Sequence, residues 1–149
     1  MKRWLAVLFI TSIILGCAVW ITALAADLPQ VSLNVSSAGP REVEDTTEKA
    51  VARDYARAWS SMMTALSDNR TDVLESDFVG VALDNLKERV NQQRQAGLHT
   101  RYVDRGHKLD AVFYSYEGSA IQLRDTAQLE VQYLDGDKLL HSEQRTENY

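Results

Sequence analysis

Residues 121–133, with the sequence IQLRDTAQLEVQY, alternate apolar and polar side chains with a period of two. This period predicts a β-strand with one buried face. The apolar positions are Ile121, Leu123, Ala127, Leu129, Val131 and Tyr133. At the centre of the same face, where a further apolar side chain is expected, the sequence has Asp125. We therefore expect the Asp125 carboxylate to point into the interior of the protein.

A helical period of three to four residues begins at Val43 and continues to Leu66. It places apolar side chains on one face of a long helix and charged side chains on the opposite face. The apolar face contains Tyr55 and Trp59. We expect this face, with its two aromatic residues, to pack on the strand that contains Asp125.

Two further helical segments are expected before the strands begin. Residues 71–76 are long enough for one short helix only. Ser76 or Asp77 can then cap a third helix, which ends at Gly97. Glycine is the usual residue where the backbone turns left-handed after a helix.

After Gly97 the pattern is that of strands joined by hairpins. A first strand region covers residues 99–116 and is interrupted near Gly106, which suggests a bulge or bend. Asp-Gly at 135–136 favours a tight turn, and a third strand follows from Lys138. The order of elements predicts an α+β fold, with the helices on one face of a curved antiparallel sheet of about three strands.

The N-terminal segment has the composition of a membrane helix. Residues 4–26 contain no charge, and at about 1.5 Å per residue they form a helix of about 35 Å, enough to cross a bilayer. Lys2 and Arg3 precede this run and favour a cytoplasmic N-terminus. The segment is therefore expected to be a signal anchor, through which the chain contacts the membrane.

Two other interpretations of this segment stay open. A signal peptidase could cleave after Ala25, which would leave a secreted or periplasmic protein, or ILGC at 14–17 could be a lipoprotein processing site. All three place the rest of the chain outside the cytoplasm. We divide the chain into the anchor or signal peptide at 1–26, a Pro/Ser/Gly-containing tether at 27–42 and a domain at 43–149.

Charge and cysteine content exclude several classes of partner. Lys2 and Arg3 are two of the 16 basic residues, so residues 27–149 hold 14 basic and 21 acidic residues, a net charge of −7. This charge argues against nucleic acid as a partner. Cys17 is the only cysteine, so no disulfide within the chain is possible.

Motifs for catalysis, cofactors and metals are lacking. The sequence has no glycine-rich phosphate loop, no HExxH and no GxSxG. His99, His107 and His141 are expected at strand ends or on strand surfaces, and residues 102–110 at a charged, exposed bend. With no Cys/His pair at ligand spacing, we predict neither a metal site nor a cofactor.

The helices and strands together resemble the nuclear transport factor 2-like superfamily. The resemblance covers residues 43–149 and rests on YARAW at 55–59, on DFVGVALDNL at 77–86 and on the run of hairpin-linked strands. It implies a cone formed by a long helix on a bent sheet, often with an acidic residue inside. The candidate pocket residues that it implies are Tyr55, Trp59, Met62, Tyr102 and Asp125.

The resemblance also raises a question about the edge of the sheet. Such cones usually have at least four strands, whereas about three are expected here, so either a strand is missing or a partner completes the sheet. The polar residues Glu143, Gln144, Arg145 and Glu147 are typical of an exposed edge. A protein partner or a second copy of the chain could pair with this C-terminal edge strand.

Two functions remain possible from the sequence. The first is a membrane-tethered, extracytoplasmic module for protein–protein assembly in the cell envelope. The second is a small-molecule binder, or an enzyme of the lyase or isomerase type, that uses the cone pocket with Asp125 as base or anchor. The lack of a catalytic motif favours the first function, and Asp125 is the candidate catalytic residue for the second.

Overall fold

The computed structural model of this protein describes residues 28–149. The predicted anchor at 1–26 lies outside these residues. The elements, in chain order, are β1 (Val31–Asn34), α1 (Asp45–Asp68), a 3₁₀ turn (Asp72–Leu74), α2 (Gly80–Gln95), β2 (Leu98–Tyr114), β3 (Ile121–Asp135) and β4 (Lys138–Asn148). Two α-helices pack on a four-stranded sheet, so the predicted α+β class is confirmed.

The strand count and the purely antiparallel sheet that we expected are wrong. The order in the sheet is β1-β2-β3-β4, and β1 runs parallel to β2 while the other pairs are antiparallel. The additional strand β1 lies inside residues 27–42, which we interpreted as a tether. It contributes only Val31 and Leu33 as half-buried apolar side chains. Two positions are too few for an alternating pattern to be recognised in the sequence.

The helices differ from expectation at the start of α2. The residue before this helix is Val79, and neither Ser76 nor Asp77 caps it. The Asp77 carboxylate instead accepts hydrogen bonds from Ser61 Oγ and Arg57 Nε of α1, both at 2.6 Å. The predicted short helix is a single 3₁₀ turn.

The core lies between the two helices and the centre of the sheet. Its buried side chains are Trp59, Met62, Ala65, Leu66, Leu74, Val90, Ala127, Leu129 and Val131. Burial of each large apolar side chain stabilises the fold by about 1.5–3 kcal/mol. The aromatic face of α1 therefore covers β3, as its helical period indicates.

A β-bulge in β2 determines which side chains enter this core. Asp104 pairs with Leu129 and His107 with Ala127, so β2 has one residue more than β3 between these pairs. Gly106 has a φ of 125°, which only glycine adopts readily. Because of the extra residue, Asp104 and His107 both point to the helix side of the sheet.

No helix formed by residues 28–149 has the length and hydropathy that crossing a membrane requires. Strand β4 lies at one edge of the sheet, and within these residues no strand pairs with its outer side.

We predict that residues 27–149 fold as a soluble, cooperative unit and that residues 43–149 are less stable. Removing residues 27–42 deletes β1, its ladder with β2 and the bond from Tyr114 N to Gly39 O. The free energy of unfolding should fall by about 2–4 kcal/mol. Urea unfolding of the two fragments measures the difference. Equal stabilities would show that β1 adds nothing to the domain.

Candidate functional site

The Asp125 carboxylate lies inside the protein and joins α1 to β2. Asp125 is 2% exposed and stands opposite Leu109 of β2. Its Oδ2 atom accepts a hydrogen bond from the Tyr55 hydroxyl at 2.7 Å and lies 2.7 Å from Nδ1 of His107. One oxygen atom of the carboxylate therefore accepts hydrogen bonds from side chains of two different elements, α1 and β2.

His107 continues the cluster on its other side. Its Nε2 atom lies 3.3 Å from Oδ2 of Asp104, and its ring centroid is 4.4 Å from that of Trp59 in an edge-on arrangement. The imidazole is thus enclosed by an indole and two carboxylates. We call Tyr55, Asp104, His107 and Asp125 the buried polar cluster.

Hydrogen bonding in the buried polar cluster is incomplete. Asp125 Oδ1, His107 Nε2 and Asp104 Oδ2 have no hydrogen-bond partner among residues 28–149. Because buried polar atoms without partners are costly, these three atoms reduce the stability that the cluster contributes.

The Tyr55 hydroxyl is held in its protonated form. Burial, followed by the hydrogen bond to Asp125, raises the pKa of Tyr55 far above its usual range. The hydroxyl therefore acts as a hydrogen-bond donor to the carboxylate at all physiological pH values.

Backbone contacts fix the cluster from both edges of the central strands. His107 N donates to Gln30 O at 2.9 Å, just before β1. On the other side, Asp125 and Tyr149 exchange two backbone hydrogen bonds of 3.1 and 3.0 Å. The segment before β1 and the segment after β4 thus both end beside the cluster.

The sequence indicated part of this cluster. Asp125 points inward and contacts Tyr55, as its place in the alternating pattern indicates. The expectation that His107 lies at a strand end or surface is wrong, because its side chain is fully enclosed. The signal that could have found it is the alternation of His107, Leu109 and Ala111, which puts all three on the buried face of β2. The bulge at Gly106 hides this signal, because it shifts the phase of the residues that precede it.

An apolar cleft of about 340 Å³ lies beside the buried polar cluster, between α1 and α2. It is lined by Tyr55, Ala58, Trp59, Met62, Phe78, Ala82, Leu86, Arg89 and Tyr149. Three of the candidate pocket residues, Tyr55, Trp59 and Met62, are in this set, whereas Tyr102 and Asp125 are not. The cleft is large enough for a few apolar side chains or a small ligand.

Two exposed valines are the chain neighbours of the cleft-lining residues Phe78 and Ala82. Val79 and Val81, at the start of α2, are 82% and 74% exposed. Burial, with the charge of Glu147, raises the pKa of Tyr149 to about 12, so its hydroxyl adds no charge.

Arg89 is the one cation that lines the cleft. Its guanidinium donates to the Tyr102 hydroxyl at 2.7 Å and lies 5.9 Å from the centre of that ring. Within residues 28–149 no carboxylate forms an ion pair with Arg89, whereas the nearby Lys87 pairs with Glu75. The cleft therefore combines an apolar lining with one positive charge that is free to bind an acid.

Among residues 28–149, no group of three or more side chains is arranged to bind a metal ion.

Comparison with known proteins gives one structural neighbour. No protein-family model matches the chain, and neither does any curated protein sequence. The crystal structure of the intermembrane space region of the chloroplast protein ARC6 is similar, with a TM-score of 0.61 and 18% identity. The match covers 73% of this chain and 83% of that one. At this identity the similarity shows a shared fold.

We predict that Tyr55→Phe destabilises the protein by about 1–2 kcal/mol, because the buried carboxylate loses one of its two donors. The matched control is Tyr116→Phe, since Tyr116 is 80% exposed and its loss should change stability by less than about 0.5 kcal/mol. Thermal unfolding compares the two variants. Equal midpoints would show that the Tyr55 bond is not structural.

Asp125→Asn extends the same test. The new amide group would have no acceptor at the position of Oδ1, so we expect a lower unfolding midpoint. A midpoint that holds or rises, together with loss of binding of a small ligand, would instead indicate that Asp125 serves a ligand.

Proposed function

We propose that this protein is a membrane-tethered, extracytoplasmic module of the nuclear transport factor 2-like type that assembles with other proteins of the cell envelope. Its partner presents an apolar segment with an acidic side chain to the cleft between α1 and α2. The observation that carries this proposal is the apolar lining of the cleft, in which Arg89 is the one cation.

The start of α2 is apolar, whereas the start of a solvated helix would be polar. Val79 and Val81 flank Gly80, which begins α2 with a φ of 57°. Side chains that are this exposed bury little surface in the fold, and exposed apolar surface is typical of protein contact sites. Phe78, which precedes Val79, and Ala82, which follows Val81, line the cleft itself. The two valines therefore lie next to the cleft lining along the chain.

Arg89 specifies the charge of the partner. Its only hydrogen-bond acceptor within residues 28–149 is the Tyr102 hydroxyl, which is neutral. A carboxylate can bind the guanidinium bidentately and more strongly than a hydroxyl can. An apolar segment with a Glu or Asp side chain satisfies both the lining and the charge.

The alternative is a small-molecule binder or a lyase or isomerase that uses Asp125. The cleft volume and Arg89 suit a small apolar carboxylic acid. However, Asp125 is not among the lining residues, and both donors that reach its Oδ2 come from the protein itself. A substrate would first have to displace Tyr55 or His107, which favours the assembly module.

The proposed location is based on the uncharged run at 4–26 and the preceding Lys2 and Arg3. The structural neighbour of this chain is an intermembrane space region. This fold therefore has a precedent beside membranes, which supports the proposed location by analogy.

We predict that a photo-cross-linking amino acid at Ala82, an exposed residue of the cleft lining, captures a protein in native membranes when it is placed in the full chain. The adduct should map by mass spectrometry to an apolar segment with an acidic residue. Arg89→Glu should abolish it, because like charges then meet in the cleft.

The control position is Tyr116, which is exposed and does not line the cleft. The proposal fails if Ala82 and Tyr116 give the same adducts, or if Arg89→Glu leaves the Ala82 adduct unchanged. Loss of the adduct on addition of a small apolar acid, without any protein partner, would support the alternative.

The location is tested by the N-terminus of the protein purified from membranes. Retention of residues 1–25, together with protease access to residues 28–149 from the extracytoplasmic side, is expected for a signal anchor. A mature protein that begins at Ala26 would establish cleavage after Ala25. Protection of residues 28–149 in intact cells and spheroplasts would overturn the location.

A further inference from the structure

The outer edge of β4 has backbone groups that are available for pairing. Asp125 and Tyr149 exchange two backbone hydrogen bonds, so the N–H and C=O groups of Tyr149 point towards β3. Antiparallel strands alternate between such pairs and pairs without these bonds. The pairing of β3 with β4 is regular from the Thr126/Asn148 pair to the Tyr133/His141 pair, so this alternation continues along β4. The backbone N–H and C=O groups of Ser142, Gln144 and Thr146 therefore point away from the sheet.

The charged side chains of β4 lie on the helix side of the sheet. Glu143, Arg145 and Glu147 are half-buried there, opposite Val131, Leu129 and Ala127 of β3. Inward-pointing charges on an edge strand prevent pairing with most other strands, because they would face apolar or like-charged residues. They admit a strand whose charges are complementary.

We propose that β4 pairs antiparallel with β4 of a second copy of this chain, about a two-fold axis at Gln144. In this register Glu143 faces Arg145 of the second copy, and His141 faces Glu147 of the second copy. Both contacts occur twice because the axis repeats them. Ser142, Gln144 and Thr146 supply about six backbone hydrogen bonds across the axis.

The charges disfavour the two neighbouring registers. A two-fold axis at Glu143 would place Glu143 of one chain opposite Glu143 of the other. An axis at Arg145 would in the same way place the two Arg145 side chains opposite each other. Like charges directly opposite each other destabilise a strand pair. The alternating order of Glu143, Arg145 and Glu147 thus makes β4 complementary to itself in the proposed register.

The two-fold axis is perpendicular to the sheet, so both helix layers lie on the same side of a continuous sheet. The interface does not involve Val79, Val81 or Arg89. Tyr149, which follows β4, is the one residue of the cleft lining that lies beside this interface.

The interface is tested with single-cysteine variants of the full chain in detergent, in a Cys17→Ser background. Gln144→Cys places two thiols at the axis, where opposite Cα atoms of a hydrogen-bonded pair are about 5.5 Å apart, within disulfide range. Mild oxidation should give a disulfide-linked dimer. Gln128→Cys, an exposed residue of the same type on β3, is the matched control and should give at least tenfold less dimer.

Charge reversal tests the register without cysteines. Arg145→Glu should weaken dimerisation at least tenfold in sedimentation equilibrium, and Glu143→Arg combined with Arg145→Glu should restore it. Thr146→Pro should also abolish the dimer, because proline has no N–H to donate across the axis. The monomer should still fold, because the N–H of Thr146 points away from β3 and forms no bond with it. Arg101→Glu, an exposed reversal on β2, should have no effect.

Hydrogen exchange of Ser142, Gln144 and Thr146 should slow as protein concentration rises. A full chain that stays monomeric at millimolar concentration overturns the proposal, as does a dimer that is unaffected by both Arg145→Glu and Thr146→Pro. Protection of β4 only in the presence of another protein would also overturn it, in favour of a strand from that protein.

Discussion

The fold depends on the burial of one carboxylate, that of Asp125. A buried carboxylate without partners costs several kcal/mol, about as much as a large part of the stability of a small domain. Tyr55 on α1 and His107 on β2 both bind its Oδ2 atom. These bonds determine how α1 sits on the sheet, because another position of the helix would leave the carboxylate unpaired.

This arrangement requires the bulge at Gly106. Without the extra residue, either Asp104 or His107 would point to the outer face, since successive side chains alternate. With it, both face the helix side and enclose the imidazole between Asp104 and Asp125. The Gln30 carbonyl, just before β1, then accepts from His107 N. The short strand β1 and the bulge therefore stabilise the same cluster.

The sequence predicted the long elements, in which the hydrophobic pattern repeats many times, and missed the features that depend on a few residues. The 24-residue helix α1 and the 15-residue strand β3 repeat their patterns often enough to be recognised. The four-residue strand β1 does not, and its pairing with β2 depends on contacts across more than 70 positions. Asp125 was found because it breaks a regular pattern. His107 was missed because the bulge changes the phase of the pattern by one residue.

The two proposed contact surfaces also differ in strength and in kind. The cleft offers apolar burial around one cation, which suits a specific partner. The β4 edge offers backbone bonds and exposed charge pairs, which are individually weak and screened by salt, so a dimer in dilute solution is expected to be weak. Anchoring to a membrane would change this balance, because it confines the copies to two dimensions and raises their effective concentration. A pair of domains on one continuous sheet would then present two clefts on the same side, and two partner segments could bind together.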